Sequence, residues 1–145
     1  MSYRAPQKDM MFVMKELADI DGVSALPGFE DFGEETAAAV VEESAKFCES
    51  VIAPLNWTGD QQPSFWKEGH VTTTPGFKDA FAQFTQAGWQ GVIHDPEYGG
   101  QGAPKVIATA CMEMLNAANL SFALCPLLTD GAIEALMTAA SDEIK

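Results

Sequence analysis

Basic residues are scarce in this sequence: 8 lysines and arginines stand against 21 aspartates and glutamates, for a formal net charge of −13. Such a field repels the phosphates of nucleic acids and the surfaces of anionic membranes. It does not attract an anionic substrate either, so the positive charge to hold one must come from local groups or from another part of a larger protein. The charge therefore predicts no nucleic-acid partner.

Cysteine and histidine are also rare. The three cysteines, Cys48, Cys111 and Cys125, are odd in number, widely spaced and set among apolar neighbours. This pattern is typical of small buried hydrophobic residues in a reducing compartment, so we expect a cytoplasmic protein. His70 and His94 have no second ligand at metal-binding spacing, which predicts surface or loop histidines and no metal site.

Long apolar runs are missing as well. No stretch reaches the roughly 18 consecutive apolar residues that a membrane span needs, and the first six residues contain no apolar core of a signal peptide. No Ser or Cys lies in a nucleophile motif of the hydrolase type. We therefore expect neither a membrane span nor a signal peptide, and the residues alone point to no self-contained chemistry.

Helical periodicity dominates what is present, and it predicts an all-α fold with one short β-hairpin. A short helix with an apolar stripe is expected from Lys8, then a loop over 20–32. The positions assigned to that stripe are Met11, Phe12, Met14, Lys15, Leu17 and Ala18. The clearest pattern is a long helix that ends near Asn56 because of Pro54, with Asp31 and Glu34 as a capping box. Its apolar residues recur at i, i+3, i+4 and i+7: Ala37, Val40, Val41, Ser44, Ala45, Cys48, Val51, Ile52 and Leu55.

The second half of the chain gives a hairpin and three further helices. Strands are expected around a turn at Glu68-Gly69, followed by a helix capped by Thr74. The residues expected on the buried face of this helix are Phe77, Ala80, Phe81 and Phe84. Pro104 is expected to begin the next helix, whose apolar stripe is Val106, Ile107, Ala110, Cys111, Met114, Leu115 and Ala118. Asn119 or Ser121 is expected to cap the next element.

That next element, residues 120–137, is apolar nearly all round, and Pro126 is expected to break it. Such a segment is either a central helix or has a face meant for something absent from this chain. Ser141 resembles the start of one more helix, so we expect the chain to be a fragment.

Residues 95–104 contain three glycines and two prolines between two apolar segments. Neither a helix nor a strand accommodates that composition, so this is a shaped connection. One interpretation is a tight turn before the helix that begins at Pro104. Another, an anion-binding loop at Gly99–Gly102, lacks the preceding strand and the Gly-Lys-Ser/Thr ending of a phosphate loop.

The segment Trp89 to Pro104 closely resembles the pattern of flavin-dependent acyl-CoA dehydrogenases, whose N-terminal helical domain carries a Pro-Glu-x-Tyr-Gly-Gly-x-Gly loop between two helices. In this chain the loop runs from Pro96 to Gly102 and is one residue shorter than the family pattern, because Glu97 and Tyr98 are adjacent. Further motifs resemble a subgroup of longer family members with an N-terminal extension, which includes the 3-methylthiopropionyl-CoA dehydrogenases. These motifs are residues 2–6, 26–29, 53–56, 74–77 and 114–119.

The resemblance implies an N-terminal extension over 1–32 and an N-terminal α-helical bundle domain over 33–145, with the middle β-domain and the C-terminal catalytic domain absent from this chain. It implies that the parent enzyme oxidises an acyl-CoA to the 2,3-enoyl-CoA, passes hydride to FAD and then electrons to an electron-transfer flavoprotein or a similar acceptor, and is a homo-oligomer.

By position, the resemblance also implies that five residues line the acyl pocket: Phe122, Cys125, Leu127, Leu128 and Thr129. No catalytic residue and no FAD ligand are expected within this chain, which alone should be inactive. The alternative is a stand-alone, non-catalytic helical module for interaction or dimerisation.

Overall fold

The computed structural model describes residues 3–145, so the first two residues of the predicted extension, Met1 and Ser2, lie outside the described residues. About 65% of the chain is helical and the strands form one two-stranded sheet, which confirms the all-α class. The elements follow in this order: α1 (Gln7–Phe12), a π-helical turn (Val13–Leu17), α2 (Ile20–Ser24), α3 (Glu34–Phe47), a second π-helical turn (Cys48–Ile52), α4 (Pro54–Gln61), β1 (Phe65–Lys67), β2 (His70–Thr72), α5 (Phe77–Gln86), 3₁₀ turns (Trp89–Gly91 and Pro96–Tyr98), α6 (Lys105–Ala118) and α7 (Leu120–Ala139).

Helix α3 packs against α6, and the side chains predicted to point inward do so. Both stripes are confirmed: of the nine residues predicted for the long helix, which lie in α3, its π turn and the start of α4, six are buried and the other three are partly buried. The predicted capping box is wrong, because the helix begins after Gly33, whose position has no side-chain cap. Glu34 instead accepts hydrogen bonds from the Lys15 ammonium at 2.7 and 2.9 Å.

Pro54 does not end the long helix near Asn56; helical structure continues to Gln61. A proline removes one backbone donor and crowds the preceding turn. Here the preceding turn is a π turn, in which the Ala53 N–H donates to the Cys48 carbonyl at 2.8 Å. This wider turn lets Pro54 become the first residue of α4.

The N-terminal segment is part of the main core. Met10, Met14 and Ile20 are buried in the same cluster as α3 and α6. Two predictions in this region are wrong: Phe12 and Leu17, assigned to an apolar stripe, are exposed, and residues 20–24 form α2 where a loop was expected. Met10 and Met14 are four residues apart and share the inward face, which turns Phe12 outward.

The hairpin is confirmed, with Phe65, Trp66 and Lys67 paired antiparallel to residues 72, 71 and 70. The predicted cap at Thr74 is wrong. Its hydroxyl donates to the Gln62 carbonyl at 3.0 Å and its N–H donates to Ser64 Oγ at 3.1 Å, so Thr74 closes the base of the hairpin region. Helix α5 begins two residues after Pro75, behind Gly76 with φ of 86°.

Helix α7 runs unbroken through Pro126, contrary to the predicted break. Asn119 caps it as predicted: its Oδ1 accepts hydrogen bonds from the Phe122 N–H and the Ser121 hydroxyl. Only Phe122, Ala123 and Pro126 of this helix are fully buried. Of the two alternatives for an all-apolar segment, the structure rules out the central buried helix.

By length and composition α7 would suffice to cross a bilayer, with a mean hydropathy of 1.4 over its best window. Polar residues such as Asp130 interrupt its run of apolar residues, so the number of consecutive apolar residues does not predict this helix as a span. After α7, the N–H groups of Ile144 and Lys145 donate to the Ser141 carbonyl and form a single turn.

Candidate functional site

The glycine-rich connection is a tightly hydrogen-bonded loop. Asp95 Oδ1 accepts a hydrogen bond from the Glu97 N–H at 2.9 Å, and the Asp95 carbonyl accepts from Tyr98 and Gly100 at 3.0 Å. The loop then folds back onto residues 88–94, where the carbonyls of Gly91, His94 and Val92 accept from residues 101, 102 and 103 at 2.8–3.0 Å. The loop is therefore fixed by its own backbone.

These bonds argue against the anion-binding interpretation. A phosphate-binding loop presents free N–H groups to its ligand. Here the N–H groups of residues 98 to 103 all donate to carbonyls of the same loop region. The interpretation as a shaped turn before α6 agrees with this geometry.

A cleft of about 280 Å³ opens between the loop, the end of α3, α6 and α7. Its walls are mainly apolar, with Phe47, Trp89, Ile93, Met112 and Leu127 among them. Two thiols, Cys48 and Cys111, also line it, and burial raises the pKa of both, that of Cys48 to about 12. These thiols are protonated at neutral pH and behave as apolar lining, as predicted for buried cysteines.

One end of the cleft is polar, where three side chains link the loop to α7. Asp130 Oδ1 accepts a hydrogen bond from His94 Nε2 at 3.0 Å and another from Gln90 Nε2. Gln90 Nε2 also donates to the Pro126 carbonyl at 3.2 Å. His94 is thus a loop residue, as predicted, but it is largely buried; His70 is exposed on the hairpin.

Sequence reasoning missed this cluster because Asp130 is 36 and 40 residues away from its partners His94 and Gln90. The one available signal was Asp130 itself, one of two acids in an otherwise apolar helix, which needs a partner if it is not fully solvated. Among residues 3–145 no group of three or more His, Cys, Asp or Glu side chains is placed to hold a metal ion.

The five predicted pocket residues all lie on α7 but do not share one face. Phe122 is buried and packs edge-on against Phe77 and Phe84, with ring centroids 5.7 and 5.9 Å apart. Leu127 lines the cleft, and Leu128 is exposed. Cys125 and Thr129 are also exposed. Whether any of them contacts a substrate stays a prediction.

The exposed leucines form the largest feature of α7. Leu120, Leu124, Leu127 and Leu128 are 43–72% exposed; we call these four residues the α7 leucine face. Leucines four residues apart, such as Leu124 and Leu128, stack on one side of a helix. Leu124 and Leu128 lie on the side opposite Pro126 and Asp130. Leu127 lies at the border of the face and lines the same cleft as Asp130.

Comparison with known proteins gives one matching family and several relatives. Residues 34–145 match the family model "Acyl-CoA dehydrogenase, N-terminal domain". The 3-methylmercaptopropionyl-CoA dehydrogenase of Ruegeria pomeroyi is 42% identical over 145 residues, which are 100% of this chain and 25% of that protein.

Two more distant relatives are also acyl-CoA dehydrogenases by name. The broad-specificity linear acyl-CoA dehydrogenase FadE5 of Mycobacterium tuberculosis is 28% identical over 81% of this chain and 20% of its own length. The butyryl-CoA dehydrogenase of Syntrophomonas wolfei is 26% identical over 99% of this chain and 24% of its own length. The chain thus spans a quarter or less of the length of these relatives.

Proposed function

The chain belongs to the acyl-CoA dehydrogenase family, and from this we propose that it is the N-terminal part of an enzyme that oxidises an acyl-CoA thioester to the 2,3-enoyl-CoA. In this reaction a base removes the α-hydrogen as a proton, and the β-hydrogen leaves with its electron pair as hydride. FAD, which we propose for the parent enzyme, would supply the acceptor for that hydride when bound.

The observation that carries the proposal is the α7 leucine face. A family member needs an apolar surface against which the acyl chain can lie, and such surfaces are mostly apolar and largely preformed. Leu127 and Leu128 are exposed and belong to that face. Among the predicted pocket residues we therefore propose these two as contacts of the acyl chain.

Phe122 supports the same wall from behind. It is buried in an aromatic group with Phe77, Phe81 and Phe84, and it holds the first turn of α7 against α5. Cys125 and Thr129 lie on a third side of the helix, one residue before Pro126 and one before Asp130. We propose that they reach the pocket only at its edge.

The flavin and the catalytic base are proposed to come from the rest of the parent protein. The N–H groups of residues 97 to 103 all donate within the loop region, so this loop is not proposed as a ligand of the flavin phosphates. We propose that residues 33–145 form the helical domain and that residues 1–32 are an N-terminal extension, of which Met10, Met14 and Ile20 are buried in the domain's core.

The relatives' names bear on the proposed substrate class. They specify a short thioether acyl group, linear acyl groups and butyryl. We propose a short acyl-CoA, with a thioether-bearing acyl group as the first to test, because the relative with that name is 42% identical across the whole chain.

The test uses the full-length parent protein, purified with whatever cofactor it carries. Its visible spectrum should show oxidised flavin, and anaerobic addition of 3-methylmercaptopropionyl-CoA or butyryl-CoA should bleach it. Free fatty acids serve as a control and should leave the spectrum unchanged. A parent protein without flavin, or with flavin that no acyl-CoA reduces, would overturn the proposal and favour the non-catalytic helical module.

A further inference from the structure

The second half of α7 has few apolar contacts to hold it. The three fully buried residues of α7 all lie in its first half, between 122 and 126. Beyond them the helix continues for 13 residues, to Ala139. The ion pair of Lys105 with Glu134 at 3.7 Å joins two largely exposed side chains and adds little.

The link to the glycine-rich loop is different in kind. The side chains of His94 and Asp130 are only 12% and 19% exposed. A carboxylate only accepts hydrogen bonds, so His94 Nε2 carries the hydrogen that it shares with Asp130. Partly buried hydrogen bonds to a charged group are stronger than those between exposed pairs.

Gln90 joins the same carboxylate to the helix backbone. Its Nε2 donates both to Asp130 and to the Pro126 carbonyl. Pro126 and Asp130 are four residues apart, so the two contacts lie on one side of α7 and restrict its rotation about its own axis.

The other end of the link is rigid. The His94 carbonyl accepts from the Gly102 N–H at 3.0 Å, and Gly91, next to Gln90, accepts from Gln101 at 2.8 Å. Gly100 lies so close to His94 that an added Cβ would be 1.9 Å from the His94 oxygen. The two donors are therefore held by a loop that cannot easily shift.

We propose that Gln90, His94 and Asp130 are positioning residues that fix the rotation of α7 and so aim its leucine face at the acyl chain. This inference rests on the proposed function. The three residues touch neither substrate nor flavin in this proposal; they act through the helix, because Leu124 and Leu128 lie on the side opposite Asp130.

The experiment compares three variants of the full-length parent protein. Asp130→Ala removes the acceptor, Asp130→Asn keeps an acceptor oxygen at the same place, and Glu134→Ala is the control one turn further along the same helix. Each is measured for KM and kcat with a short and a longer acyl-CoA, for flavin content and for hydrogen exchange of the α7 amides.

We expect Asp130→Ala to raise KM more for the longer acyl-CoA than for the shorter, with flavin content unchanged. Exchange of the amides after residue 130 should become ~10-fold faster, as expected for the loss of partly buried, charge-assisted hydrogen bonds. Asp130→Asn should restore most of both properties, and Glu134→Ala should resemble the wild type.

Wild-type exchange rates in Asp130→Ala would overturn the inference, as would equal damage by Asp130→Asn or Glu134→Ala. A KM change that is the same for both acyl-CoAs would also overturn it, since it would indicate general loss of structure. If no acyl-CoA reduces the wild-type flavin, the proposed function and the aiming of the helix at an acyl chain both fail. The exchange data then show separately whether the three residues hold α7.

Discussion

At the scale of single residues, the loop is governed by how closely two backbone segments approach. Gly100 lies against the backbone of His94, where an added Cβ would fall 1.9 Å from the carbonyl oxygen. We expect Gly100→Ala to lower the free energy of unfolding by about 2–4 kcal/mol, because the clash is with backbone that is itself hydrogen-bonded. Urea denaturation measures it.

Gly99→Ala is the matched control. Gly99 has φ of 86°, but an added Cβ would meet no atom within 4 Å. Only the left-handed conformation is then penalised, at about 1–2 kcal/mol. Equal costs for the two substitutions would show that the loop relaxes away from His94 and is not rigid.

The three cysteines should react at different rates. Burial raises the pKa of Cys48 to about 12 and also raises the pKa of Cys111, so little thiolate forms at either site near neutral pH. Cys125 is exposed. We expect a thiol reagent at about pH 8 to label one cysteine quickly and the other two only after denaturation, as counted by mass spectrometry.

Cys125→Ser provides the control, since it should remove the fast phase and leave the two slow sites. Fast labelling of two thiols in the native wild type would contradict the raised pKa of Cys48 and Cys111. The sequence predicted all three as buried, but only Cys48 is fully buried and Cys111 is partly buried. Cys125 is exposed because it lies on a side of α7 that is uncovered in this chain.

At the scale of the elements, the periodicity of apolar residues was enough to predict a helix and its buried face wherever that face packs against the rest of this chain. The stripes of α3 and α6 and the turn at Glu68-Gly69 follow from such local patterns, and the structure confirms them. Long-range contacts were not readable in the same way. The hydrogen bond of His94 with Asp130 joins residues 36 apart, and neither residue's neighbours indicate the other.

Prolines were the main source of error for helix ends. Pro54 and Pro126 were both expected to interrupt helices, and neither does. At Pro54 the π turn accommodates the missing donor. At Pro126 tertiary packing outweighs the local penalty, since that residue is buried and its carbonyl accepts from Gln90. A single sequence does not reveal the π turn before Pro54 or the hydrogen bond from Gln90 to Pro126.

The N-terminal segment gives a test at this scale. Ile20, the first residue of α2, is fully buried, whereas Leu17 is 74% exposed. We expect Ile20→Ala to lower the free energy of unfolding by about 2–5 kcal/mol, because it leaves a cavity in the shared core. Leu17→Ala should change it by less than about 0.5 kcal/mol. Chemical denaturation of both variants measures the difference.

The opposite ranking would show that the extension is loosely attached. The ion pair between Lys15 and Glu34 does not show how firmly the extension is attached, because both side chains are exposed and such pairs contribute little to stability. A large cost at Ile20 would therefore show that apolar packing of residues 3–32 is part of the domain's stability.

At the scale of the whole molecule, the α7 leucine face is the feature that this chain does not explain by itself. The chain carries a net charge of −13 and yet exposes Leu120, Leu124, Leu127 and Leu128 together on one helix. Contiguous exposed apolar surface of this kind marks an interaction or ligand site. In a chain that spans a quarter or less of its relatives' length, we expect the remainder of the parent protein and the acyl group to cover it.

This expectation can be tested with a dye that fluoresces on apolar surfaces. The 145-residue chain should bind the dye, and the double substitution Leu124→Gln with Leu128→Gln should lower the fluorescence at least ~2-fold, because it removes the centre of the patch. Far-UV circular dichroism should be unchanged, since both side chains are exposed and their loss leaves no cavity. Val71→Gln, which alters an exposed apolar residue on the hairpin, should leave dye binding nearly unchanged.

The same double substitution distinguishes the two proposals for the whole chain. In the parent enzyme the wild-type face should be covered, so the dye should not bind, and the substitutions should weaken acyl-CoA binding. If the 145-residue chain instead forms a closed dimer that excludes the dye and dissociates on the double substitution, the leucine face is a self-association surface. That outcome would favour the non-catalytic module, because one apolar face cannot be buried between two copies and also be open to an acyl chain.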